Sequence, residues 1–153
     1  MIRTNNRVRL CAALLVLNLM FIWGNSLMPA EISQAFSDWV KELLAKLLPG
    51  GSSSPTQGSG LIRKIAHFTE FMALGILLTW LFGMLQKAIH LPFLTGAAAA
   101  CIDETIQFFV PGRAPGIKDM CIDCCGVLVG LALLTIGHHY VKKRSTHIIL
   151  EDK

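Results

Sequence analysis

Two short segments of this chain set several ionisable side chains close together within apolar stretches. RKIAHFTEF places Arg63, Lys64, His67 and Glu70 within two turns of a helix. CIDETIQFFVPGRAPGIKDMCID places Asp103, Glu104, Gln107, Arg113, Asp119 and Asp123 around a Pro-Gly turn. A histidine or glutamate held next to a polar substrate can move a proton. Guanidinium and ammonium groups hold anions, phosphate above all, through charge-assisted hydrogen bonds. Grouped carboxylates orient water, a cation or those basic groups. His67, Glu70, Asp103, Glu104 and Asp119 are therefore the candidates for chemistry, and Arg63, Lys64, Gln107, Arg113 and Asp123 for holding a ligand. No serine or cysteine is evidently placed to act with His67 as an activated nucleophile, so a covalent mechanism has little support. Asp, Glu and His together can bind metals, but no spacing here specifies one, and no metal or cofactor is assigned.

These groups lie in a chain that is 53% hydrophobic and only 16% charged. Soluble domains carry about 25% charged residues, so the composition points to a membrane protein. The net charge of +4 is spread over termini and loops. No basic run is interleaved with aromatics, which argues against nucleic acid as a partner. Apolar spans are predicted at about 10–28, 61–85, 91–110 and 116–137, each long enough at about 1.5 Å per residue to cross a hydrocarbon core. The first is too long for a signal peptide and lacks a small-residue cleavage site, so it reads as retained. The expected fold is all-α, an integral membrane four-helix bundle forming one domain over residues 1–153. Clusters of Lys and Arg at both ends, including Arg3, Arg7, Arg9, Lys142, Lys143 and Arg144, favour both termini on the cytoplasmic side of the membrane.

Between the first two spans, Ile32, Phe36, Trp39, Val40, Leu43, Leu44, Leu47 and Leu48 recur at three and four. That spacing predicts an amphipathic helix ended by Pro49-Gly50 and lying on the outer membrane surface. A flexible link, GSSSPTQGSG, fills out residues 50–60. Five cysteines, an odd number, include a CxxC spacing in CIDCC, which sits in an apolar helix and reads as packing rather than redox chemistry. His138 and His139, beside the basic cluster, read as an interfacial anchor for anionic lipid.

Depth ties the two polar segments together. Measured from the outer ends of their spans, His67, Asp103 and Asp123 all fall about 9 to 10 Å deep. A charged group at that depth is costly and normally faces the bundle interior or a wet cavity. Three helices are thus expected to contribute to one outward-facing pocket, with Arg113 above its mouth. Gly126 and Gly130 continue the Asp119–Asp123 stripe and offer a neighbour a smooth strip for close packing.

At these residues the chain resembles the VanZ-like family of bacterial membrane proteins. The matching elements are RKIAHFTEFMALG, DETIQFFVPGR and the stretch from Asp119 to DCCG126, with a looser match at GNSLMPAEIS. The resemblance covers most of the chain and carries to Lys64, His67, Glu70, Asp103, Glu104, Gln107, Arg113, Asp119 and Gly126. At position 123 the family usually has asparagine, whereas this chain has Asp123. The resemblance implies a small multispanning protein of the cell envelope, and the family's founding member is associated with low-level resistance to the glycopeptide teicoplanin.

Three functions fit the residues. The first is binding or modification of the anionic headgroup of an envelope lipid or lipid-linked cell-wall precursor, with a bearing on glycopeptide susceptibility. The second is transport of a small solute or a proton, against which stand the apolar inner halves GILLTWLF and VLVGLALL. The third is a non-catalytic membrane scaffold. Neither catalytic turnover nor oligomeric state is legible in the sequence.

Overall fold

The chain forms five α-helices in the computed structural model, which describes residues 2–47, 59–114 and 116–151. They are α1 (Ile2–Ser26), α2 (Ala30–Leu47), α3 (Ser59–Met84), α4 (Leu91–Phe108) and α5 (Ile117–Glu151), with no strand among the described residues. α3 is the hub and packs against each of the other four, while α4 packs against α5 and α1.

Three helices are long and apolar enough to cross a membrane, over Asn5–Ser26, Gly60–Met84 and Ile117–Tyr140. α4 is not among them. It has only 18 residues, and Asp103, Glu104 and Gln107 dilute its hydrophobicity. On α1, Cys11, Ile22 and Ser26 are buried and Leu15 and Leu19 pack beside them, a three-and-four spacing that turns one stripe inward. Leu10, Val16, Leu17, Met20 and Phe21 face outward, as suits a hydrocarbon surround.

The closest helix packing, between α3 and α5, is made by small residues. A Cβ on Gly126 would run into the Phe68 carbonyl, one on Gly130 into the Met72 carbonyl, and one on Gly75 into the Val127 carbonyl. Without a strong hydrophobic drive between helices in lipid, such close backbone approach is what van der Waals attraction needs. Val127 also fills the notch left by Gly96 on α4. The buried centre is Ile22, Phe71, Leu74, Leu78, Ala99, Ala100 and Val127.

α2 presents its apolar side outward. Ile32, Phe36, Trp39, Leu43 and Leu47 are all exposed, and Phe36 stacks on Trp39 with ring centroids 5.9 Å apart. Ser37, from the polar side, is buried and its hydroxyl donates to the Ser33 carbonyl at 2.9 Å.

The helix limits differ from the sequence expectation in physically simple ways. α1 begins eight residues before the apolar run at Leu10, because its basic first turns still form helix, and it stops at Ser26 with Leu27 and Met28 in a turn before Pro29. α4 ends at Phe108, and Phe109 and Val110 tighten into turn hydrogen bonds. α5 does not stop near Gly137. It continues to Glu151, since no proline or capping glycine interrupts it, and its 35 residues reach about 50 Å. Ser59 and Gly60, expected in the link, open α3. The expected Pro49-Gly50 stop and the rest of the link, 50–58, lie outside the described residues.

Candidate functional site

The site forms where the N-terminal parts of α3 and α5 and the C-terminal part of α4 meet the end of α1. His67 on α3 points its Nδ1 at Asp103 Oδ2 of α4 and Asp123 Oδ1 of α5, each 3.8 Å away. Asp103 is fully buried and Asp123 nearly so, at 1% exposure. One donor atom from each of the three side chains falls within 4.8 Å of the other two. Three separate helices therefore deliver their buried polar groups to one point, and the common depth inferred from the sequence is the common height in the fold.

The carboxylates are treated differently by their neighbours. Asp103 Oδ2 accepts a hydrogen bond from Gln107 Nε2 at 2.7 Å, one helical turn on, and the same amide reaches the buried Ser26 hydroxyl at 3.3 Å. Asp103 Oδ1 and both Asp123 oxygens are buried without a hydrogen-bond partner. A separation of 3.8 Å is too long for a direct hydrogen bond to His67. Two carboxylate charges within 4.8 Å repel by about 3 kcal/mol or more even at an effective dielectric of about 20. The imidazole alone can neutralise only one of them, so the cluster is short of positive charge at its centre.

Glu70 does not pair with His67. Its Oε1 accepts from Asn25 Nδ2 at 2.9 Å, and Oε2 is buried without a partner. Glu104 Oε2 accepts from the Gly116 backbone N–H at 2.8 Å, at the opening of α5, where helix amides lack internal partners. Arg113 does not hang freely over the pocket. Its Nε donates to the Met28 carbonyl at 3.2 Å and its Nη2 to the Asn25 carbonyl at 3.0 Å, so it closes the C-terminal end of α1. Gly112, with φ of +74°, gives the turn the left-handed residue it needs, and Pro111 accepts from Ala30 N–H at 3.4 Å. Burial and the neighbouring Arg63 hold the Arg113 guanidinium below its ordinary pKa, while Asp103 works the other way.

The pocket itself is lined by Arg63, Lys64, His67, Gln107, Asp119, Ile122 and Asp123. Lys64 reaches Asp119 at 3.7 Å across its partly exposed rim. About 10 Å³ remains free at its centre, room for about one water-sized body. A second, partly open space of about 170 Å³ is lined by Leu15, Leu19 and Trp23 of α1, Leu74 and Leu78 of α3, and Thr95, Ala98, Ala99 and Ile102 of α4. Its walls are almost wholly apolar.

Of the ten residues expected at the site, seven meet at the pocket and its floor: Arg63, Lys64, His67, Asp103, Gln107, Asp119 and Asp123. Glu70, Glu104 and Arg113 turn to other partners. Asn25 and Ser26 were missed by the sequence reading. The available signal was a polar pair closing an otherwise apolar span, at the same end of the bundle as the polar segments.

Among the described residues all regular structure is helical, and three helices long and apolar enough to cross a membrane mark a membrane protein. It belongs to the VanZ/LLP1 family, whose model matches residues 11–138. No curated protein and no solved structure matches the chain.

Proposed function

We propose that this VanZ-like protein is a four-span protein of the bacterial cytoplasmic membrane, with both termini inside, that holds the anionic headgroup of an envelope lipid or lipid-linked wall precursor. In this reading α4 is the fourth span, its acids sheltered by α3 and α5, and residues 1–153 form one domain. α2 lies in the outer interface with Phe36 and Trp39 toward lipid. One observation carries the reading: a polar pocket that holds Arg63, Lys64 and His67 and a partly open apolar space of about 170 Å³ are built on the same two helices, α3 and α4. The first suits an anionic headgroup and the second a stretch of acyl chain.

Arg63 and Lys64 at the rim attract the anion and His67 meets its phosphate. Asp119 sets the position of the Lys64 ammonium. Arg113 acts through the backbone by fixing the end of α1 beside Glu70. The 10 Å³ at the pocket centre admits one phosphate oxygen or one water, so the rest of the headgroup sits at the rim. A bearing on glycopeptide susceptibility follows if the bound lipid is a wall precursor.

The test is to purify the protein in native lipid discs and identify co-purifying lipids by mass spectrometry. One anionic lipid or precursor should be enriched with wild type and lost with both Arg63→Ala and His67→Ala at matched folded yield. Recovery of bulk lipid alone, unchanged by either substitution, would sink the headgroup reading and favour a scaffold or transporter.

A further inference from the structure

We infer that His67, Asp103 and Asp123 form a binding site for one divalent transition-metal ion of the zinc or manganese type. The argument begins with the distances. His67 Nδ1 lies 3.8 Å from an oxygen of each aspartate. That gap is too wide for hydrogen bonding but is one that two metal bonds of about 2.0–2.2 Å each can span. The three donor atoms all lie within 4.8 Å of one another, and tetrahedral bonds of about 2.0–2.2 Å set donors about 3.3–3.6 Å apart, so ion binding draws the widest pair together by about an ångström through side-chain rotation. The pocket leaves about 10 Å³ beside them.

A second observation points the same way. Both oxygens of Asp123, 1% exposed, and Oδ1 of Asp103, 0% exposed, are buried without a hydrogen-bond partner. Buried carboxylate oxygens are ordinarily satisfied. Lys64 pairs with Asp119 at the rim, and Arg113 is committed to the carbonyls of Asn25 and Met28. Neither cation supplies a salt bridge to Asp103 or Asp123. A divalent ion at the meeting point neutralises both aspartates and leaves the imidazole neutral, as a ligand must be.

The donor set narrows the ion. One imidazole nitrogen with two carboxylate oxygens suits zinc or manganese, whereas magnesium and calcium favour all-oxygen surroundings. The Gln107 amide holds Asp103 Oδ2 at 2.7 Å and is itself held at Ser26, an outer contact of the sort that orients metal-binding carboxylates. Three protein ligands leave a fourth position open toward the pocket, for water or a phosphate oxygen. The metal site does not rest on the headgroup reading, although the open position is where such a phosphate would bind.

The experiment uses full-length protein, purified without a polyhistidine tag, stripped with chelator and placed in discs of phosphatidylcholine alone, so that no anionic headgroup contributes. Zinc or manganese is added, excess is removed, and bound metal is counted by mass spectrometry. Cobalt is added to a separate sample for its visible spectrum. About one ion per chain is expected, with at least a tenfold loss of affinity in Asp123→Asn and in His67→Gln, both checked for helicity and cooperative melting. Zinc should also raise the melting temperature of wild type, and cobalt should give the absorption of a low-coordinate nitrogen and oxygen site, neither of which needs a variant. Less than a tenth of an ion per wild-type chain would overturn the inference. So would binding that survives in the folded Asp123→Asn and His67→Gln proteins but vanishes when the exposed His138 and His139 are replaced by alanine.

Discussion

Arg113 shows how a side chain chosen for its charge can serve as a fastener. Its two hydrogen bonds to the Asn25 and Met28 carbonyls are charge-assisted and worth about 1.5–3 kcal/mol each, less where water reaches them. Arg113→Ala should therefore lower stability by about 2–3 kcal/mol, read as an earlier melting transition in lipid discs. Arg113→Lys should recover less than half, because a single ammonium lacks the planar fork that reaches both carbonyls. Full recovery by lysine would show that charge, and not the fork, is what matters. The positions of His67, Asp103 and Asp123 were legible from sequence because depth in a helix is a simple count of residues. The partners of Arg113, Glu70 and Glu104 were not. Arg113 and Glu104 meet backbone carbonyls and an amide whose positions are set by the turn after α1 and the start of α5, and Glu70 meets the Asn25 side chain, which only the packing of α1 on α3 brings near.

Among the elements, α3 and α5 depend on each other most closely. Gly126 and Gly130 face the Phe68 and Met72 carbonyls with no room for a methyl group. Gly130→Ala should push the two helices apart and lower stability by about 1–3 kcal/mol, the usual cost of overpacking. Gly137→Ala, where nothing lies within 4 Å, should change little, and the two melting curves compared side by side give the check. The glycine strip was readable as a periodic pattern. The continuation of α5 to Glu151 was not, because the polarity change after Gly137 marks the edge of a membrane and says nothing about where a helix ends. α2 offers a further prediction. With Trp23 and Trp80 replaced by phenylalanine, the fluorescence of Trp39 should be quenched by lipids brominated near the headgroup and shielded from aqueous iodide. Efficient iodide quenching would place its apolar face in water and remove α2 from the interface.

For the whole molecule, orientation decides which compartment the pocket samples. In a cysteine-free background, a membrane-impermeant maleimide should label Ala114→Cys in intact cells and leave Lys87→Cys untouched until the membrane is opened. The reverse pattern would turn the pocket toward the cytoplasm. The central place of α3, which packs against every other helix, also has a consequence for how the chain is made. During synthesis α1 and α2 emerge before their shared partner exists, and α3 and α4 then carry His67 and Asp103 into place while Asp123 is still untranslated. Those polar groups wait for α5, the last of the five helices in chain order. Closure of the pocket thus waits for α5, and a chain released before residue 117 would expose its unfinished pocket to the lipid and to the proteases that survey newly made membrane proteins.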